Sequence, residues 1–494
     1  ELRSVPAITM QLTTLLSEQN RERQVASLGA RDVFIRPDLG TITTASFDRA
    51  AEAIPVGVRA AEAVAAELDR LSLPEADYRA HRAEHRAPGG RIAVDEVRIV
   101  NDSRLGDDVI AARLGRLAGA PLDVDLLETA LDQVFGLELF ESVYYDVGRE
   151  SGREVLTVTA RERSWGPDYV QAGIAAFEDH EGPDFNVALA YSRTAINRRN
   201  GEWRAVVQAG RDPGAVAEMY QPVDRTLRTF VHLRLSALDQ AANTFDATGH
   251  KTSELEVTRA GVELSAGREL GTWGELRAGL VRESGRISTE VGTAAVPDLG
   301  FDTGDAFLQF SVDRLADVDF PLSGGSLRAR LTAGLRGLGS DVAYEQGLVE
   351  GSLAHTWGRN TAYLGGRLGA TRDADAPTQS LFSLGGFGRL SGIEQDELAG
   401  QQVALARVAA YRRLSAMPVL PLYAGLTAEY GNVFRSRSEM RLGDGIASGG
   451  VFLGLDTVLG PVLLAYARAE GGRDNYYLTL GEAFHQRRLA SWRR

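Results

Sequence analysis

Strand-length alternation governs the last two thirds of this chain. In Leu327-Arg328-Ala329-Arg330-Leu331-Thr332-Ala333 every odd residue is apolar and every even one is Arg or Thr. Leu276, Ala278 and Leu280 alternate with Glu275, Arg277 and Gly279; Val231, Leu233 and Leu235 alternate with His232 and Arg234; Leu308, Phe310 and Val312 alternate with Gln309, Ser311 and Asp313. Successive side chains of a strand point to opposite faces, so each segment carries one apolar and one polar face. A soluble sandwich also alternates, but its strands rarely carry charges at mid-length so often. A transmembrane barrel turns the apolar face to lipid and keeps arginines and acids in a wet lumen.

Strands are expected near 169–178, 184–195, 202–210, 226–236, 254–266, 273–284, 305–315, 326–337, 344–357, 361–371, 378–385, 401–413, 420–430, 449–458, 461–469 and 475–484. That is sixteen, an even number as a bacterial barrel needs. The alternation sends Arg328, Arg330, Glu429 and Asp456 into the lumen, and Leu327, Leu331, Leu426 and Leu455 to lipid. One strand resists. Arg407 shares parity with Leu405 and Tyr411, so it would face lipid at about 2–4 kcal/mol. A bulge or a different register is expected there.

Composition narrows the alternatives. No apolar run is long enough for a transmembrane helix. Net charge of -13 argues against a nucleic-acid partner. Cysteine is absent, which excludes disulfides, thiolate metal sites and thiol catalysis. The start, Glu1-Leu2-Arg3-Ser4, lacks the basic head and apolar core of a signal peptide.

Two smaller regions precede the barrel. Over 1–75, Leu15, Leu16 and Val25 suggest a helix, and Arg31-Asp32-Val33-Phe34-Ile35-Arg36-Pro37 reads as a buried strand ended by proline. Ser46 is a good N-cap for an alanine-rich helix from Phe47 to about Leu71. This reads as the end of an α/β domain. Residues 76–90, rich in Arg, His, Pro and Gly, read as a linker. Residues 91–163 read as a small α+β domain. It has a strand marked by Ile92, Val94, Val97 and Ile99, a helix capped by Asp123, and two strands (140–147, 154–160) joined at Glu150-Ser151-Gly152.

A strand-helix-helix-strand-strand domain before such a barrel resembles a POTRA domain feeding the surface-antigen barrel superfamily, which includes the Bam insertase and the two-partner secretion transporters. The most specific stretch is Gly385-Gly386-Phe387-Gly388-Arg389-Leu390-Ser391-Gly392-Ile393, with five strands after it. It falls where that family has a long extracellular loop folded into the lumen. The family pattern is two glycines, a spacer, then Val-Arg-Gly-aromatic; here Ser391 stands at the arginine position. The resemblance implies an acid on the thirteenth strand as the loop's partner, and Glu429 in Thr427-Ala428-Glu429-Tyr430-Gly431 matches. It leaves Arg389 as the candidate for the missing arginine. Phe484 resembles the terminal aromatic read by barrel-assembly machinery, with a basic tail over 485–494.

The Leu-Ser-Gly form resembles the patatin-like autotransporters in particular. Asp32–Leu39 and Phe47–Ala51 look like the end of a patatin-like lipid hydrolase. That resemblance implies an outer-membrane translocator that secretes or displays its own N-terminal phospholipase, with a phospholipid substrate for the parent enzyme. The alternative is an insertase or exporter for other proteins. Neither the Gly-x-Ser-x-Gly elbow nor the Asp-Gly-Gly motif occurs here, so the catalytic residues are absent and no esterase turnover is expected. No cofactor and no metal is expected.

Blander readings stand beside these. His81-Arg82-Ala83-Glu84-His85 fits a zinc-protease pattern, but it lies in a polar stretch with no third ligand, and a solvated linker is favoured. Glu429 could be a generic lumen charge and Arg389 a solvated loop residue. Arg328 and Arg330 either steer an anionic substrate or pair with lumen acids; pairing is favoured.

Overall fold

The computed structural model describes residues 24–29, 32–40, 42, 49–84 and 93–481, apart from 116, 118, 120, 180–181, 247–248, 293–297, 318, 373–375, 416–419 and 458. Residues 1–91 and 92–494 form two separate compact units.

In the first unit the described residues are helical or irregular. Helices span Ala50–Glu62, Ala65–Asp69 and Glu75–Glu84. The strand expected at 31–37 does not form: 32–39 is irregular, and Phe34 is exposed rather than buried. The single helix expected to reach Leu71 is instead broken at 63–64, and the polar stretch read as a linker begins as a helix. Arg, Glu and Ala favour helix whether or not a face is buried. Leu15, Leu16, Ser46, Phe47 and His85 lie outside the described residues.

The second unit opens with a small α/β domain. Strand β1 (Glu96–Asn101) is followed by helices Asp107–Leu114 and Val124–Phe135, then β2 (Phe140–Glu150) and β3 (Arg153–Glu162). The sheet order is β1-β3-β2, with β1 parallel to β3. Asp123 caps the second helix by accepting from the Leu126 N–H at 3.1 Å. Ser151 and Gly152 take φ of 50° and 84°, the two left-handed residues of a two-residue hairpin whose twist matches its strands. Val109, Leu127, Val134, Phe140, Leu156 and Val158 fill the core.

Sixteen strands then close an antiparallel barrel. The first half comprises β4 (Asp168–Asp179), β5 (Gly182–Arg193), β6 (Glu202–Gly210), β7 (Gly214–Pro222), β8 (Thr229–Phe245), β9 (Lys251–Glu269), β10 (Glu275–Gly292) and β11 (Leu299–Asp313). The second half comprises β12 (Gly324–Gly334), β13 (Tyr344–Trp357), β14 (Asn360–Arg372), β17 (Gln402–Arg413), β18 (Leu422–Phe434), β19 (Ile446–Leu455), β20 (Val462–Ala469) and β21 (Asp474–Leu480). Two short strands, β15 (Phe382–Leu384) and β16 (Leu398–Gly400), pair only with each other. The barrel closes where β21 meets β4, through three register pairs among the described residues, the last being Leu480↔Ala176. Every other neighbouring pair shares at least seven, as β20 and β21 do.

The expected number of strands is right, but two expectations cancel. Residues 214–222 form a wall strand that the sequence reading passed over. Residues 378–385 form no wall strand; they lead into the β15–β16 hairpin. The last strand ends at Leu480, and Phe484 and the tail lie outside the described residues.

The outward leucines form the exposed belt that alternation predicts; Leu331 and Leu426 are 62% and 61% exposed. Arg328 and Arg330 point inward. Arg328 pairs with Glu350 at 3.1 Å across β12 and β13, and Arg330 lies 3.9 Å over the Phe307 ring. Asp456 is not in the wall. It follows the end of β19, in a turn, and its N–H donates to the Pro421 carbonyl.

The α/β domain docks on one end of the barrel, here called the near end. Leu227, in the β7–β8 turn, enters the domain's core and is 6% exposed. Its φ of 57° is left-handed, a conformation costing about 1–2 kcal/mol. Burial of the side chain offsets this by roughly 1.5–3 kcal/mol. Asp108 takes ion pairs from Arg199 (3.0 Å) and Arg225 (3.3 Å), and the Gly106 N–H donates to the Arg198 carbonyl.

Candidate functional site: the lumen loop and its seat

The segment between β14 and β17 leaves the wall at the far end and folds back into the lumen. Its β15–β16 hairpin carries the turn 385–397 at its tip. Gly385, Gly386 and Gly388 have φ of 125°, 93° and 73°, so the tip uses backbone that side chains resist. The Gly385 N–H donates to the Arg389 carbonyl and the Gly386 N–H to Ile393. Leu384, Leu390 and Ile393 are fully buried against Val403 and Leu405 of β17.

The tip is held by all five strands that follow it. The Ser391 N–H and hydroxyl donate to the two carboxylate oxygens of Glu429 on β18, at 2.5 and 2.6 Å. Both residues are buried, Ser391 completely. A bond to a buried ionised carboxylate contributes about 1.5–3 kcal/mol. The Ser391 hydroxyl also accepts from the Gly388 N–H at 2.9 Å. The Gly392 N–H donates to Ser448 of β19 at 2.9 Å. Tyr477 of β21 donates to the Ser391 carbonyl at 2.7 Å. Against β20 the approach is closer still: a Cβ on Gly392 would stand 2.2 Å from the Ala469 nitrogen. From β17, Arg407 donates to the Gly388 carbonyl at 3.1 Å and to the Tyr363 hydroxyl at 2.6 Å. Glu397, its side chain 5% exposed, pairs with Arg473 in the β20–β21 turn.

A second segment reaches the lumen from the near end. The β11–β12 turn brings in Phe320, 1% exposed, which stacks on Tyr423 with ring centroids 4.8 Å apart. Tyr411 donates to the Pro321 carbonyl and Thr356 to that of Leu322. Gly454 leaves room for Phe320; a Cβ there would lie 2.3 Å from the ring. Ring contacts continue from Tyr423 to Tyr411, from Tyr411 to Phe452, and from Phe452 to Phe387 of the tip, each at 6.0 Å.

A family model described as the Omp85 superfamily domain matches residues 217–484, more than half of the chain. This chain belongs to the Omp85 superfamily. Solved structures agree on the fold. BamA from Haemophilus ducreyi lacking POTRA domains 1–3 is 13% identical with a TM-score of 0.63, over 80% of this chain and 85% of that one. CdiB from Escherichia coli is 13% identical at 0.53, covering 96% and 98%. CdiB from Acinetobacter baumannii is 10% identical at 0.53, covering 97% and 99%. No curated protein matches the chain. The protein is an Omp85-type barrel of the outer membrane, its leucine belt in lipid and its polar face in the lumen.

Within this Omp85 barrel the loop motif and Glu429 come together, but not through the expected arginine. Glu429 meets Ser391, the residue at the family's arginine position. Arg389 turns away into its own hairpin, where it pairs with Asp396 at 3.3 Å and donates to the Ser383 carbonyl. Arg407 is the residue that sequence reasoning misplaced. It faces inward, directly opposite Glu429 in register, with no bulge between β17 and β18. Leu405 and Tyr411 face inward with it and are buried under the loop and the near-end turn. The signal was present: β17 is apolar on both faces, as a strand covered on both sides reads. Tyr477, Ser448 and Phe320 carried no motif and were missed.

Proposed function

We propose that this Omp85 barrel moves protein clients across or into the outer membrane, and that it acts on other polypeptides as an exporter or insertase. The observation that carries this reading is the loop seated inside the lumen. A passive pore has no use for an occluder fastened to five wall strands; a translocator needs one that can be released. The likeness in fold to BamA and CdiB supports the same reading. The α/β domain at 93–162 acts as a single POTRA domain in the periplasm, which makes the near end periplasmic. Its sheet leaves β1 and β2 as edges for strand addition by an extended client. Glu429 acts as the loop's latch through Ser391, and Phe484 serves as the signal to the barrel-assembly machinery.

A second reading makes the client the protein's own N-terminal patatin-like phospholipase, displayed or secreted. It rests on the resemblance of Asp32–Leu39 and Phe47–Ala51, where the expected strand does not form, and we rank it lower. Deletion in the native host separates the readings. Loss of one or more unrelated secreted or outer-membrane proteins supports the exporter or insertase. Loss of nothing but a patatin-containing product of the same gene supports self-display.

A further inference from the structure

A depression of about 820 Å³ lies on the lipid-facing wall over β13, β14, β17 and β18. Register aligns its residues in rows. One outward row is Leu353, Leu364, Val408 and Ala428; the next is His355, Ala362, Ala410 and Leu426. Between them runs an inward row that includes Ala354, Tyr363 and Ala409, all buried by the lumen contents. The depression therefore opens outward. Its floor is the adjacent Ala362 and Ala410, and its walls are Leu353, Leu364 and Leu426, each more than half exposed.

One row nearer the domain-bearing end stand Trp357 and Arg412 on the same outward face. Rows on one face repeat about every 6.8 Å. Trp357 is 53% exposed and stacks on His355 at 6.1 Å. Arg412 is exposed, and among the described residues it has no carboxylate or hydrogen-bond partner. An arginine at a membrane boundary with no protein counter-ion calls for an anion, and tryptophan favours the headgroup level.

We propose that this depression holds one acyl chain of an anionic glycerophospholipid, with its phosphate on Arg412 beside Trp357. The proposal does not depend on which client the barrel handles. A chain methylene packs on Ala362 and Ala410 where a larger residue would exclude it. The guanidinium forms a bidentate contact with two phosphate oxygens.

The test is native mass spectrometry of the full chain in detergent, with phosphatidylglycerol or phosphatidylcholine added. One phosphatidylglycerol should stay bound, and phosphatidylcholine should bind distinctly less. Arg412→Gln should weaken retention about tenfold, the loss expected for one charge-assisted contact. Ala410→Leu, an apolar change on an apolar face, should weaken it comparably by filling the floor. Inorganic phosphate should not displace the lipid. The heat-dependent gel shift of the barrel confirms that each variant is folded. Equal retention by both variants, or displacement by phosphate alone, would overturn the site, while leaving the translocator reading intact.

Discussion

The two sides of this barrel wall are built on different terms. From β5 to β10 the inner face mixes charged rows with small buried apolar clusters such as Ala190, Val206 and Val216. Glu218, Arg234 and Glu263 stand in register across β7, β8 and β9, with Arg234 3.6 Å from Glu218. From β17 to β21 the inner face is a packing surface, with Leu405, Ala409, Tyr411, Phe452, Ala465, Ala467 and Tyr477 all buried. The first side sets charges and small side chains against one another; the second packs against its own loop. The large apolar side chains on the inner face of β17 to β21 lie where the chain supplies its own loop and turn to cover them.

Substitutions can test that difference. The largest effect is expected at Gly392. Gly392→Val would drive a Cβ into the β20 backbone, and overpacking against backbone costs about 1–3 kcal/mol or more. The loop should leave its seat, and single-channel conductance in a planar bilayer should rise severalfold. An unchanged conductance would mean the occluder is not the loop. Next comes Glu429→Gln, which removes the charge from two buried bonds and should cost about 1–3 kcal/mol. Ser391→Ala should cost less, and the double variant should fall short of the sum, because both cut one contact. Strict additivity in thermal unfolding would break the latch.

Outside the loop's seat the expectation is smaller. Arg328 is about half exposed in its pair with Glu350, so Arg328→Gln should shift stability by no more than about 0.5 kcal/mol. It should alter ion selectivity without opening the channel. A gain in conductance as large as that of Gly392→Val would erase the distinction between the two sides. The smallest effect concerns pH at the near end. Burial, with Asp317 nearby, holds the Asp456 carboxyl above its ordinary value of 3.8. The folded protein then binds this proton more tightly than the unfolded chain. The associated stability is complete below 3.8 and is lost as pH rises through the raised value. Asp456→Asn should flatten that part of the unfolding-temperature profile, and an identical slope in the variant would remove Asp456 as its source.

The comparison also explains what could be read in advance. Alternation is informative where one face meets lipid and the other water, and β8 to β13 were found on that signal. It reports that a face is covered, not by what. Phe382 and Leu384 alternate as wall residues do, yet they pack in the loop's own core. Residues 214–222 are a wall strand whose face toward lipid is built partly from alanine, between Pro213 and Pro222, and the signal there is faint. Glu429 was legible because its strand follows the rule on both faces. Arg407 was not, since its neighbours are apolar for the loop's sake. The role of Ser391 needed coordinates: a serine provides a partner only when its own N–H lies beside its hydroxyl and both reach the same carboxylate.

The aromatic contacts between Phe387 and Phe320 give the two mouths a common fate. The far-end loop and the near-end turn rest on one run of rings rather than on separate footings. Withdrawing either leaves a hole beside Tyr411, Tyr423 or Phe452, and a hole in a packed stack is filled by movement of its neighbours or by water. A polypeptide pressing on one plug therefore works against the bedding of both.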